Sequence, residues 1–343
     1  MRLIPYTCLV LGLICCMYAC GEADEALKQE VVLEKPALPE KDTLIRVIDT
    51  SDAKYKKYPY LLAYDKALML WSVPFEERDI STSYGTAHVI ISGPEDGAPL
   101  VLLHGMNATS TMWYPNIRAL SEEHRVYAID FLLEPGKSKC DVEVSETPAL
   151  MKWYDEIFKE LKLEEFDLLG ASRGGWLATN IALHDKARVK RLVLLSPAQT
   201  FTWIKPGSKV LKNLVYNLSP KRKKLRSILQ TMTCNVDSIK QAYIDQYYMG
   251  LEQSSISRCF MDMTPFSDEE LRSLDMPVLV LIGDRDIINN EKSLKRAKKL
   301  IRHIEVGTIK HAGHFLSMDQ ADVINKAMVD FFKENQETSI AGR

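Results

Sequence analysis

The sequence predicts an α/β fold: a mostly parallel central sheet covered by helices on both faces, with a helical cap inserted before the late strands. Three observations carry that reading. Short runs such as Leu100-Val101-Leu102-Leu103 and Val278-Leu279-Val280-Leu281-Ile282 are apolar at every position, as strands buried on both faces must be. These runs alternate with stretches whose apolar residues recur every three or four positions, the period of a helix packed on one face. No run of the first kind falls between Ser196 and Met276, where helical periods follow one another instead.

The chain is 343 residues long and 46% hydrophobic, enough to bury a sizeable core, which excludes disordered and collagen-like classes. Lys plus Arg number 44 against 46 Asp plus Glu, for a net charge of −2. There is no basic excess for nucleic acid, so the expected partner is a small molecule. Cys8, Cys15, Cys16 and Cys20 crowd the N-terminus, leaving Cys140, Cys234 and Cys259 for the rest. An odd trio makes a poor disulfide framework.

In chain order, Met1-Arg2 is followed by an uncharged apolar stretch to Ala19 and then by Gly21-Glu22-Ala23-Asp24-Glu25, the grammar of an export signal over 1–20. With Ala19-Cys20-Gly21 at its end, the segment resembles a bacterial lipoprotein signal, which makes Cys20 the lipidation candidate. An uncleaved membrane anchor and an ordinary secreted protein are the alternatives, and all three place the body outside the cytoplasm. Residues 21–50, rich in Glu, Lys and Pro, read as a solvated tether. The first part of the core is expected over 51–199, a helical cap or lid over 200–275 and the second part of the core over 276–335.

Within the core, Tyr58, Leu61, Leu62, Tyr64, Ala67, Leu68 and Trp71 fit one amphipathic helix over 52–71. Strands follow at 86–92, 100–103, 125–130, 166–169 and 191–195, with helices at 111–123, 148–163 and 174–184 between them. The second part reads strand 278–282, helix 293–301, strand 304–309 and a final helix over 319–332. In the insertion, Val210, Leu211, Leu214, Val215 and Leu218 share one helical face.

The sharpest chemical signal is Gly170-Ala171-Ser172-Arg173-Gly174, set between an apolar strand and a helix. A turn that sharp needs small residues so that strand and helix can approach, and it leaves the serine standing proud of the sheet. A serine hydroxyl becomes a nucleophile only with a base to take its proton and a carboxylate to orient that base. Both must come from loops at the C-terminal ends of other strands. Gly283-Asp284-Arg285-Asp286 follows one strand and Lys310-His311-Ala312-Gly313-His314-Phe315 another. Asp284 or Asp286, and His311 or His314, complete a set in the order Ser, Asp, His.

Together with Leu102-Leu103-His104-Gly105, these motifs resemble the α/β-hydrolase superfamily, and within it the bacterial serine carboxylesterase-like hydrolases, over about 60–332. The resemblance implies Ser172 as nucleophile, His314 as general base and acid, and Asp286 as orienting carboxylate, with Asp284 left to cap its loop. It implies an oxyanion hole from the backbone N–H groups of Met106 and Arg173, supported by His104 and Gly105, whose backbone freedom brings Met106 in. Epoxide hydrolases and haloalkane dehalogenases of the superfamily carry aspartate at the elbow, so Ser172 speaks against both. The implied activity is cleavage of a carboxylic ester through an acyl-enzyme, without cofactor or metal. Lysophospholipase, thioesterase, amidase or carbon–carbon bond cleavage, and a catalytically silent surface binding protein, are the alternatives.

Trp113, Tyr114, Trp176 and Trp203 read first as core packing, with Trp113 and Trp203, by their places after the oxyanion loop and at the start of the cap, as the candidates for the wall of an acyl or alcohol pocket. Gly136-Lys137-Ser138 ends like a phosphate loop, but Phe131 stands where that motif needs glycine, which excludes nucleotide binding. The run Lys221-Arg222-Lys223-Lys224 with Arg226 reads first as a solvated face, with attraction to anionic lipid as the alternative.

Overall fold

The computed structural model describes residues 48–253 and 263–341. The signal segment with Cys20, nearly all of the tether, and Cys259 lie outside the described residues; Cys140 and Cys234 carry free thiols.

Among the described residues one nine-stranded sheet runs in the order β1-β2-β4-β3-β6-β7-β8-β9, with β5 on β2. Strands β1 (Phe75–Thr82) and β2 (Gly85–Ser92) form a hairpin, and β2 meets β4 (His124–Ile129) antiparallel. From β4 through β3 (Ala98–Leu103), β6 (Phe166–Ala171), β7 (Val189–Leu195), β8 (Val278–Gly283) and β9 (Ile304–Ile309) every pairing is parallel. Val101, Leu103, Leu168, Leu192 and Leu194 face one core, whereas Leu100, Leu102, Leu169, Val193 and Leu195 face another. Neighbouring residues of one strand therefore enter opposite cores, which is why these strands are apolar at every position.

Two strands escaped the sequence reading. β1 reads Phe-Glu-Glu-Arg-Asp-Ile-Ser-Thr and buries only Ile80, so it lies at the sheet edge with no apolar alternation to betray it. β5 (Lys139–Cys140) is two residues long. The single helix expected at 52–71 is two, α1 (Ala53–Lys57) and α2 (Pro59–Leu68). They are broken at Tyr58, whose φ of −131° and ψ of 79° are non-helical, as the residue before a proline tends to be. The helix expected at 111–123 shrinks to a 3₁₀ turn (Ser110–Trp113) and α3 (Ile117–Leu120) on either side of Pro115, which has no N–H to bridge them.

Helices α4 (Thr147–Glu160) and α5 (Arg173–His184) cross between parallel strands as expected. Between β7 and β8 lie α6 (Ser208–Leu218), α7 (Arg222–Met232), α8 (Gln241–Gln253) and the short α9 (Asp268–Arg272). Tyr216, Leu225, Ile228, Leu229, Val236 and Leu251 give this insertion a small core of its own, against which Phe315 packs. The chain ends through α10 (Glu291–Leu300), β9, α11 (Leu316–Asp319) and α12 (Ala321–Ala341). The last helix thus runs past the expected limit at 332.

Candidate active site

Ser172 stands between β6 and α5 with φ 52° and ψ −116°, a left-handed conformation that costs an L-residue of order 1–3 kcal/mol and persists only where the surroundings enforce it. Its own N–H donates to the Leu195 carbonyl at 2.9 Å and its carbonyl accepts from Ala198 N–H at 3.0 Å, fixing the turn against the end of β7. A Cβ on Gly170 would sit 2.2 Å from the Gly174 carbonyl, and one on Gly174 would sit 2.1 Å from the Leu103 carbonyl. Only glycine permits that packing.

The other partners arrive from the same, C-terminal, edge of the sheet. Asp286 follows β8 and His314 follows β9. The hydroxyl of Ser172 lies 2.8 Å from His314 Nε2, and His314 Nδ1 lies 2.9 Å from Asp286 Oδ1. Asp286 also accepts from the Ile288 N–H at 2.8 Å and from the Asn289 amide at 3.1 Å. Burial pushes its carboxyl up, but the imidazole of His314 and these donors outweigh it and hold the group below its ordinary value. An ionised Asp286 can only accept, so Nδ1 carries the proton and Nε2 is left as acceptor for the serine hydroxyl.

The competing residues have other work. Asp284 accepts from the Ala312 N–H at 3.1 Å, bracing the two loops. Burial raises its carboxyl, while backbone N–H groups of His311 and Ala312 lower it further, so it too stays below its ordinary value. His311 takes a left-handed φ of 55° at the turn after β9 and its side chain is exposed.

Beside the serine, His104 Nε2 accepts the Phe131 N–H at 2.8 Å, so the proton sits on Nδ1, 2.9 Å from the Gly105 carbonyl. The imidazole thereby ties the loop after β3 to the end of β4. Gly105 does not adopt a left-handed backbone, contrary to the role expected of it. Asn107 does, at φ 59°. What Gly105 supplies is room, since a Cβ there would lie 3.3 Å from the Ser172 Cβ. The loop consequently runs against the nucleophile, with Met106 on it and Arg173 opening α5.

The sequence reading missed Glu134, whose carboxylate pairs with the Arg173 guanidinium and accepts the Asn107 N–H at 3.0 Å. A lone acid in the loop after β4 carries no motif. Trp113 is fully buried in the core, as core packing requires, and so does not wall a pocket. Trp203 is 62% exposed at the start of the insertion. Gly136 packs on Asp130, which accepts the Lys137 N–H at 2.9 Å, so that glycine-lysine-serine turn is held by a carboxylate.

A mostly parallel sheet of this order, bearing a strained strand-turn-helix serine after β6 with an acid after β8 and a histidine after β9, is the architecture of the α/β hydrolases. The model of the alpha/beta hydrolase fold family matches residues 98–321, and the chain belongs to that family. It is 36% identical over 288 residues to the uncharacterized carboxylesterase Nap of Bacillus subtilis, covering 82% of this chain and 94% of that protein. To the carboxylesterase YbfK of the same organism it is 32% identical over 278 residues, 78% of this chain and 92% of that one. Among solved structures, naproxen esterase from Bacillus subtilis aligns with a TM-score of 0.75 at 34% identity, over 80% of this chain and 96% of that chain.

Proposed function

We propose that the protein is a serine carboxylesterase acting on a small-molecule ester, with Ser172, His314 and Asp286 as its catalytic triad. The observation that carries this reading is the continuous chain from hydroxyl to imidazole to carboxylate at 2.8 and 2.9 Å. Ser172 Oγ attacks the ester carbonyl as His314 Nε2 takes its proton, and the imidazolium is stabilised by Asp286. The N–H groups of Met106 and Arg173 are assigned as the donors to the oxygen that becomes negative, supported by their places directly after the Gly105 turn and directly after Ser172. His314 returns the proton to the departing alcohol, leaving an acyl-enzyme. Water then attacks with the same histidine as base, releasing the acid and restoring the serine.

Treatment with a fluorophosphonate, followed by intact mass, tests the assignment. A single adduct on the native chain that disappears in Ser172→Ala and His314→Ala is the expected result. A well-folded chain that takes no adduct and hydrolyses no ester overturns the reading in favour of a binding protein.

We further infer export and lipid anchoring at Cys20, a reading supported by the apolar stretch to Ala19 and the Ala-Cys-Gly that ends it. Incorporation of a fatty-acid label in cells, lost in Cys20→Ala, is the expected outcome. A labelled Cys20→Ala chain, or an unlabelled native one, overturns it.

A further inference from the structure

Helix α6 carries its amphipathic face the wrong way round. Tyr216 is its one buried residue, while Leu211, Leu214, Val215 and Leu218 are 58, 50, 58 and 56% exposed. Their spacing places them on a single stripe, and a helix of a globular domain ordinarily turns such a stripe inward. The other large apolar side chains at the surface, such as Met69, Val142 and Val323, are scattered along the chain, as on any soluble protein.

The charge around the stripe is equally one-sided. From Phe201 to Val236 the chain carries basic residues and no acidic one, although the whole chain is slightly negative. Lys209 and Lys212 lie on α6 itself, and Lys221, Lys223 and Lys224 follow at the start of α7, all exposed. Arg222 and Arg226 are engaged by Asp245 and Asp237, whereas among the described residues no carboxylate pairs with these five lysines. An apolar stripe flanked by uncompensated lysines fits a surface with acyl chains below and phosphates above. It does not fit a second copy of itself, because a two-fold contact would set the same lysines against one another.

We propose that the outer face of α6, with the lysines of the α6–α7 segment, is a docking surface for an anionic lipid bilayer. The insertion that bears it also packs on the histidine loop, where the Phe315 N–H donates to the Met232 carbonyl at 3.0 Å. Docking therefore seats the insertion against the membrane while its inner side contacts the residue after His314. The proposal rests on exposure and charge and stands whether or not Ser172 is catalytic.

The test uses the full chain carrying Leu214→Trp, an exposed site where the larger ring meets no packing constraint. Its fluorescence is read against the parent chain on vesicles of brominated phosphatidylglycerol and of brominated phosphatidylcholine, since bromine quenches a ring that reaches the acyl region. An N-terminal segment that inserts does so in both lipids, so the difference between them reports α6. The expected result is added quenching on phosphatidylglycerol alone. In the same chain with Lys221→Glu, Lys223→Glu and Lys224→Glu, that quenching requires at least about a hundredfold more lipid. Equal or absent quenching on the two vesicles, or quenching indifferent to the charge reversal, overturns the proposal. So does a lipid-free dimer that Leu211→Glu with Leu218→Glu disperses, which makes a second copy the occupant. A new tryptophan shielded from acrylamide in the lipid-free monomer likewise overturns it, because the chain then covers the stripe itself.

Discussion

Glu134 and Arg173 form an ion pair sealed from solvent, with side-chain exposures of 0 and 2%. Arg173 directly follows the elbow serine, and the second carboxylate oxygen of Glu134 accepts the N–H of Asn107, directly after Met106. One acid thus joins the two backbone segments that carry the proposed oxyanion donors, Met106 and Arg173. Preorganised donors stabilise a developing charge because they do not have to reorient during the reaction. The pair ties together the two segments to which the proposed oxyanion donors belong.

Replacing Glu134 with Gln keeps its shape and removes its charge, leaving the buried guanidinium without that carboxylate. Breaking a buried pair from one side costs about 3–5 kcal/mol, so a strongly lowered midpoint in urea is expected, together with a reduced kcat. The double variant Glu134→Leu with Arg173→Met should regain much of the stability, because apolar side chains can replace a buried pair at little cost. It should not regain kcat, since the Asn107 N–H loses its acceptor. Equal recovery of both would show that the pair serves packing alone.

Asp286 and Asp284 lie two residues apart and should respond very differently. Asp286→Asn turns an acceptor of the His314 Nδ1–H into a group that can present its own N–H, favouring the wrong imidazole tautomer. A fall in kcat of about 10⁴ is expected, the scale seen when a triad aspartate is so replaced. Asp284→Asn alters only the brace to the His311 and Ala312 backbone and should leave kcat within severalfold. Steady-state hydrolysis of a chromogenic ester by the two variants decides the matter, and comparable losses would reopen the assignment.

How much of this was legible depended on how strongly each feature constrains its residues. The strands between two cores had to be apolar throughout, and the elbow had to have small residues at Gly170 and Gly174, so both could be read directly. β1 could not, because an edge strand that buries only Ile80 leaves its remaining positions to solubility. Glu134 was invisible for a different reason. Its meaning comes from Arg173, 39 residues away, and no periodicity reports a contact between loops. The type of Trp113 alone pointed to core packing, and its ring does turn into the core, although its nearness in sequence to the loop after β3 also suggested a pocket.

Close packing at the elbow makes its glycines sensitive in a way that most glycines are not. A methyl group on Gly174 would fall 2.1 Å from the Leu103 carbonyl and 2.6 Å from that of His104, both backbone atoms that cannot step aside alone. Gly174→Ala should therefore cost at least about 1–3 kcal/mol, the range for overpacking a tight core, and lower the melting temperature accordingly. Gly207→Ala meets nothing within 4 Å and should stay within about 0.5 kcal/mol of the parent chain. Similar shifts for the two would mean that strand and helix do not pack as closely as described.

The acid limb of stability offers a separate check on Asp286. Its carboxyl is held below its ordinary value in the folded chain, whereas in the unfolded chain it titrates near the usual aspartate value of about 3.9. Folding therefore favours the ionised form, and the stabilisation is fully present above the unfolded value. As pH drops through the folded value the proton binds both states alike, and that contribution is lost. Asp286→Asn has no such proton to bind. Its melting temperature should lie below that of the parent at neutral pH, with the gap narrowing as pH is lowered from about 5 toward 2. A gap that stays constant across this interval would mean that His314 does not hold Asp286 ionised, and the base would then lack its orienting charge.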